Sequence, residues 1–445
     1  MIRIVGAGPT GALLALLLER RGKEVELYEA RPDPRLVPAD SGRSINLALA
    51  DRGIHALKAA GVFDRLGSAL LPMRGRLIHY ENRDTNFQPY GQAGEVIYSV
   101  SRHRLNQVLI EVAAQRTGVR LFFQHRFEAA DFAAGTASIR DLHKHRLISV
   151  PMQPLLAADG AGSAMRREMA AQKLIQATET DLEHGYKELS MPPGPDRSCR
   201  IAKDVLHIWP RGNFMLIALP NDDGSFTATL FLPKHGPVSF AALSDAGSAD
   251  EFLSRHFPDA RELMPNAVAE WHAHPVGFLG TVSTSPWHVR GEAMLIGDAA
   301  HAMVPFHGQG MNCCFEDCME FDAWAALQPW EAVFTQFSAA RKRNTDAIAA
   351  MALDNYSEMR ESVADPKFQL QRALSLELER RFPQRFIPRY SMVMFHHEIP
   401  YLTAQQRGAV QAGILTELTC GAVNALSDID FDCAERLVIG GLPPL

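Results

Sequence analysis

Ile2-Arg3-Ile4-Val5-Gly6-Ala7-Gly8-Pro9-Thr10-Gly11, then leucines at 13, 14, 16, 17 and 18, then Glu24-Val25-Glu26-Leu27-Tyr28-Glu29, is the stretch that decides the fold. The short β-branched run reads as a strand, and the G-x-G-x-x-G after it opens a Leu-rich helix. A second strand follows and ends on an acid. The glycines at 6, 8 and 11 permit a tight turn and bring backbone N–H groups close to a pyrophosphate at the positive end of the helix. Glu29 is placed to accept hydrogen bonds from ribose hydroxyls, which disfavours the 2′-phosphate of NADP there and suits FAD or NAD. The glycine pattern alone is common. Here strand, turn, helix, strand and acid stand in the required order, so the expected class is α/β with a Rossmann-like dinucleotide domain.

Two later segments repeat the strand-then-acid form. Leu155-Leu156-Ala157-Ala158 leads to Asp159-Gly160, and Ala293-Met294-Leu295-Ile296 leads to Gly297-Asp298. Read alone, Asp159-Gly160 is an ordinary β-turn; read with the fingerprint and Asp298, it describes one extended dinucleotide touched from three places. Pro305-Phe306-His307-Gly308-Gln309-Gly310-Met311-Asn312 then forms a pocket wall and a Gly-rich turn feeding a helix, whose start can stabilise negative charge. In Gly42-Arg43-Ser44, Arg43 reads as a surface cation or as a phosphate or flavin contact. Arg104, in the first turn of a helix begun by Ser101-Arg102-His103, is either a cofactor contact or a helix-face charge.

The chain has 445 residues, enough for roughly two or three domains. Its net charge of −6 leaves no basic footprint for nucleic acid, and Arg341-Lys342-Arg343 reads as a solvated helix face. The adjacent Cys313 and Cys314 diverge by about 100° around a helix, and no CxxC pair accompanies them or Cys318, so buried core thiols are expected and no metal site. The start of the chain runs directly into the fingerprint, which leaves no room for a signal peptide. The longest apolar block, Gly11 to Leu18, is far short of the ~20 residues that span a bilayer. A soluble, cytoplasmic protein without a membrane anchor is expected. Leu206-His207-Ile208-Trp209, Asn213 to Leu219 and Ser225 to Leu232, with the turn Pro220-Asn221-Asp222-Asp223-Gly224, read as antiparallel strands. Met215 and Ile217 share a face by parity. Glu331 to Glu358 is helical in period, with Asn355 and Glu358 projecting together at i,i+3, and Arg385 to Met392 reads as an extended connector. The expected division is a dinucleotide domain over 1–70, 96–175 and 270–330, a substrate-domain sheet over 71–95 and 176–269, and a C-terminal helical region over 331–445.

A single fingerprint without a redox CxxC excludes the pyridine-nucleotide disulfide reductases, and no G-x-S-x-G elbow is present. A cofactor must therefore carry the reaction. Gly6 to Gly11, Ala158-Asp159-Gly160 and Gly297-Asp298-Ala299-Ala300-His301 together resemble the class A flavoprotein aromatic hydroxylases. Arg31 to Arg35, Gly42 to Leu49, Arg74-Gly75-Arg76, His184 to Leu189, Leu206 to Pro210, Val304 to Asn312 and Arg385 to Val393 more narrowly resemble the kynurenine 3-monooxygenase family, in bacterial-type members. The resemblance implies a Rossmann-like FAD-binding domain with an inserted antiparallel-sheet substrate domain and a C-terminal helical region. It implies that NADPH, as co-substrate without a second Rossmann site, reduces FAD. O2 then gives a flavin C4a-hydroperoxide that converts L-kynurenine to 3-hydroxykynurenine in tryptophan catabolism.

Carried over by motif, Arg76 clamps the substrate carboxylate, with Tyr90 and Asn355 as hydrogen-bond donors. Leu206, Met215, Ile217 and Phe231 line the aromatic part of the pocket. Pro305, Phe306 and His307 set the ring near the flavin, while Glu358 and Tyr390 couple the C-terminal helices to the pocket. Gly310, Met311 and Asn312 face flavin N1 and the C2 carbonyl. The flavin carries the chemistry, and His307 is the one acid/base candidate. The competing readings are a class A hydroxylase of another aromatic acid, a flavin dehydrogenase or oxidase, and a binding protein that has lost its flavin.

Overall fold

Ile2–Val5 pairs in parallel with Val25–Glu29 on one side and with Leu155–Ala157 on the other. Val119–Phe123 and Ala293–Leu295 extend that order outward, again in parallel, and His288–Val289 closes one edge antiparallel. A parallel sheet needs cover on both faces, which explains the nearly continuous apolar strands. Pro9–Arg20 buries every residue from Gly11 to Leu18, as its unbroken leucines require. The computed structural model describes residues 1–37, 46–326, 329–362 and 365–445. The expectations for Gly42 to Ile45, including Arg43, lie outside the described residues. By compactness the chain forms two units, one of residues 1–70, 100–182 and 279–349, the other of 71–99, 183–278 and 350–445. The helices from 350 onward belong to the second unit, together with its sheet.

The second unit is built on a six-stranded sheet in the order His184–Met191, Phe226–Pro233, Met215–Pro220, Leu206–Pro210, Gly75–His79, Thr85–Pro89. Its pairings are antiparallel except that of Leu206–Pro210 with Gly75–His79. One face packs Leu189, Trp209, Leu216 and Leu230 against Phe252 and Trp271, on the helices Ala246–His256 and Ala267–Ala273. Polar groups inside this layer are paired. Trp209 donates through Nε1 to Asp259 at 2.8 Å. His207 Nε2 donates to the Ala202 carbonyl at 2.8 Å, so its Nδ1 accepts from His79 Nε2 at 2.8 Å. A second apolar cluster joins Leu374, Leu378, Ile414, Leu418 and Val438 of the helices Pro366–Arg381, Tyr401–Leu418 and Phe431–Gly441.

Two expectations are corrected. The stretch from Arg385 is not extended throughout: Pro388 is followed by a helix, Arg389–Phe395, because proline at the entry fixes a helix-compatible start without costing a bonded N–H. Arg341 is not a solvated charge; it is 3% exposed and bonded to two carboxylates, while Lys342 beside it pairs with Asp346. The helix Trp330–Ser357 brings Ile348, Met351, Ala352 and Asn355 to its buried side, as the periodicity required. Among the described residues no helix is long and apolar enough to cross a membrane.

Burial pushes the His207 pKa down from 6.5 to about 4. The unfolded chain therefore binds a proton between those values that the folded chain refuses, so stability falls as pH drops through that window. Urea unfolding should lose up to about 1.4 kcal/mol per pH unit there from this group, and His207→Gln should flatten that slope. An identical slope in the variant would contradict the assignment.

Candidate active site

In the first unit the carboxyl ends of four parallel strands lie along one edge of the sheet, and each delivers one of the residues singled out in the sequence. Gly6 follows the first strand with φ +96°, and a Cβ there would stand 2.4 Å from the Ala158 carbonyl oxygen. At Gly11 a Cβ would meet the Gly6 carbonyl, whereas at Gly8 it would find nothing within 4 Å. Two glycines thus close the turn and the middle one keeps space open above it, as a pyrophosphate cradle requires. Glu29 ends the second strand, accepting from the Ala7 N–H at 2.8 Å and from the Arg31 N–H at 2.9 Å. Burial works against its charge, but Arg31 and these N–H groups hold its pKa below the ordinary value.

Asp159 follows the third strand. Its Oδ2 accepts from the N–H groups of Ala164 and Met165, at 2.8 and 3.2 Å, and caps the helix Ala164–Ala171. Its Oδ1 is buried with no partner among the described residues, and burial raises its pKa. Asp298 follows the fourth strand after Gly297, whose φ of +66° makes the turn. Arg166 ties the two acid-bearing loops together, donating to the carbonyls of Ala161 and Ala299. A Cβ at Gly297 would lie 3.0 Å from Thr10, so the third loop touches the fingerprint helix as well. Fingerprint, Asp159 and Asp298 are therefore one assembled site, with an orphaned acceptor and open backbone. These residues fit an FAD.

The helix Gly310–Trp324 starts on Gln309 without a side-chain cap. The N–H groups of its first turn have no acceptor within the helix, which leaves them for an anion. Asn312 contributes only its backbone to that: its Nδ2 donates to the carbonyls of Ala48 and Gly308, both at 2.8 Å, and its Oδ1 accepts from Ala50 N–H. Phe306 and His307 are buried in a tight turn and Pro305 is exposed. Arg104 sits in the first turn of Arg102–Ala114, bonded to Gln107 at 3.0 Å and Glu111 at 3.5 Å.

In the second unit, register puts Leu206 opposite Arg76, Ile208 opposite Ile217 and Met215 opposite Phe231. All share the sheet face opposite the helix-packed core. Arg76 is 1% exposed and bonds Glu358 at 3.2 Å, with its guanidinium 4.8 Å from the Tyr390 ring centre and 5.9 Å from that of Tyr90. Tyr90 and Tyr390 stack at 5.7 Å. Glu358 opens a π turn, a widening typical of functional sites, and Asn355 on the preceding turn donates to Met359 Sδ. Sequence reading missed Arg372, which donates to the Pro89 carbonyl and lies 5.8 Å from the Tyr390 ring. Among the charged helix Pro366–Arg381 nothing distinguishes it from a solvated arginine. Burial and the nearby Arg76 charge push its pKa down to about 10, so it remains charged at neutral pH. Burial raises both tyrosines, which stay neutral. Among the described residues two guanidiniums stand against one carboxylate in this cluster, and Arg76 and Arg372 each bury an Nε without a partner. A carboxylate satisfies both conditions.

A family model described as FAD binding domain matches residues 1–326. The chain is 47% identical, over its whole length and 97% of the relative, to the kynurenine 3-monooxygenase of Stenotrophomonas maltophilia (strain K279a). It is 45% identical, over its whole length and 96% of the relative, to that of Myxococcus xanthus (strain DK1622). Among solved structures, 2-methyl-3-hydroxypyridine-5-carboxylic acid oxygenase superposes with TM-score 0.65 at 19% identity, covering 85% of this chain and 97% of the other. The p-nitrophenol 4-monooxygenase PnpA of Pseudomonas putida DLL-E4 superposes with TM-score 0.66 at 16% identity, covering 85% and 93%. Those structural likenesses speak for the fold; the full-length identities, on a chain whose glycines and acids form one dinucleotide cradle, decide the family. The chain belongs to the FAD-dependent aromatic hydroxylases and, within them, to the kynurenine 3-monooxygenase family.

Proposed function

We propose that the protein hydroxylates L-kynurenine to 3-hydroxykynurenine with NADPH and O2, using FAD. The observation that carries this reading is the buried cluster around Arg76, where the described residues set two guanidiniums against one carboxylate, on a sheet face lined by Leu206, Met215, Ile217 and Phe231. It suits an aromatic amino acid: a carboxylate for the guanidiniums and a ring for the apolar strip.

Held by the residues of the first unit, FAD would pass the reducing equivalents of NADPH to O2, one oxygen atom of which goes to the ring and the other to water. The chain's own residues bind, orient and exclude water. Arg76 offers a planar fork that makes two charge-assisted bonds to a carboxylate, and Arg372 adds a second positive charge. Tyr90 and Asn355 are the proposed neutral donors, and Glu358 and Tyr390 hold Arg76 in place. In the first unit Gly6, Gly8, Gly11 and Glu29 are assigned to the adenosine and pyrophosphate end of FAD. Asp159 and Asp298 are assigned to its ribose or pyrophosphate region, and the first turn at Gly310, Met311 and Asn312 to the charge of its reduced ring. Arg43 and Arg104 remain proposed cofactor contacts. Pro305, Phe306 and His307 are assigned to the substrate ring. The ring amine already donates electron density, so no strong base is needed; a dry pocket matters more. The cytoplasm is the proposed compartment.

NADPH oxidation measured against a panel of aromatic acids should be stimulated by L-kynurenine, with a product one oxygen heavier. If another acid is hydroxylated instead, the substrate is reassigned; if none is, the reading fails. Arg76→Ala should raise the kynurenine KM tenfold to a hundredfold, the ~1.5–3 kcal/mol of a hydrogen bond to a charged group. An unchanged KM removes Arg76 from the site. His307→Phe tests the acid/base role: a proton-transfer residue should cost about a hundredfold in hydroxylation rate, and an unaltered rate assigns His307 to the pocket wall alone.

A further inference from the structure

The helix Gly310–Trp324 turns Asp317 fully inward, at 0% exposure. Its Oδ2 accepts from His301 Nε2 at 2.5 Å and from the Gly297 N–H at 3.2 Å. Its Oδ1 accepts from Arg341 at 2.9 Å, and Arg341 reaches Glu316 at 2.9 Å with another nitrogen. Glu316 also pairs with Arg52, so two arginines stand against two carboxylates. Gly297 and His301 are the two ends of the short turn that carries Asp298. One carboxylate thus holds both ends of that turn, and the long helix behind it supplies the countercharge. Burial would push the Asp317 carboxyl up, but His301 and Arg341 hold it below the ordinary value, so it stays ionised as an acceptor.

His301, Cys313 and Asp317 are close enough to one another to hold a metal ion. The Arg341 guanidinium already occupies Asp317 and lies 3.8 Å from the Cys313 sulfur, so a cation entering there would meet a fixed positive charge. The cluster is an internal brace. Hydrogen bonding to both ends of a five-residue segment fixes its conformation, which removes the ordering cost a loop otherwise meets on binding a ligand.

We propose that Asp317, backed by Arg341, is a positioning residue for the cofactor: it fixes the Gly297–His301 turn so that Asp298 is presented to FAD already oriented. This rests on the reading that Asp298 touches FAD. The test measures the FAD dissociation constant by flavin fluorescence released from the holoenzyme on dilution, with turnover followed as FAD is added back. Asp317→Asn should raise that constant about tenfold to a hundredfold, with turnover recovering at high FAD. Asp298→Ala should raise it as well, and the double variant should fall well short of the product of the two effects, because both act on one contact.

If Asp298→Ala leaves FAD affinity unaltered, the underlying reading is wrong. If Asp298→Ala weakens binding but Asp317→Asn does not, or the two effects multiply in full, the positioning role is overturned. Should Asp317→Asn fail to fold because Arg341 loses a charge partner, His301→Phe decides. It leaves the Asp317–Arg341 pair intact and releases one end of the turn. A rise of about threefold or more in the FAD constant supports the proposal, and none refutes it.

Discussion

The parallel hydrogen bonding of the first sheet is the constraint from which the cofactor site follows. Parallel strands run in one direction, so their carboxyl ends emerge along one edge, however far apart they lie in the chain. Residues after Val5, Glu29, Ala157 and Leu295 become neighbours for this reason alone. Each strand then needs only to end on a glycine or an acid for the edge to become a dinucleotide cradle. The finer fitting is local: Gly6 lies against the Ala158 carbonyl, and Arg166 staples Ala161 to Ala299. Those contacts turn three loops into one surface.

The second unit solves a different problem with the same alternation of side chains. Its sheet places apolar residues on both faces but spends them differently. One face disappears under helices as core, while the other carries Arg76 among hydrocarbon side chains. A buried guanidinium is tolerated only with partners, and Glu358, Tyr90 and Tyr390 supply them incompletely once Arg372 is counted. Among the described residues that interior sets two guanidiniums against one carboxylate, a charge balance that a further carboxylate would complete.

Much of this was readable from residues. The fingerprint, the two strand-then-acid repeats and the parity of Met215 and Ile217 are local patterns, and local patterns survive without coordinates. What the sequence hid are the buried arginines. Arg341, Arg372 and Arg166 each sit in charged, helix-compatible stretches where a solvated face is the ordinary outcome. Only the partner carboxylates and carbonyls, distant in the chain, reveal otherwise. The helix beginning at Arg389 was hidden for a milder reason, since the proline before it marks an entry as readily as a break. The role of the Asn312 side chain was also out of reach, because Ala48, Ala50 and Gly308 converge on it from two separate segments.

Each unit is assembled from three separated stretches of chain, and this bears on how the protein comes into being. Synthesis proceeds from the N-terminus, yet the strand Ala293–Leu295 is a required neighbour of Leu155–Ala157. The fingerprint leaves the ribosome well before Ala293–Leu295 and waits for that strand before its sheet can be completed. Arg76 waits longer still, since Glu358, Arg372 and Tyr390 are all made later. Nascent intermediates therefore expose an unfinished parallel sheet edge and an uncompensated charge. For such a chain, capture of the cofactor must wait for the strand Ala293–Leu295, and the half-made sheet is the state most in need of protection from its neighbours.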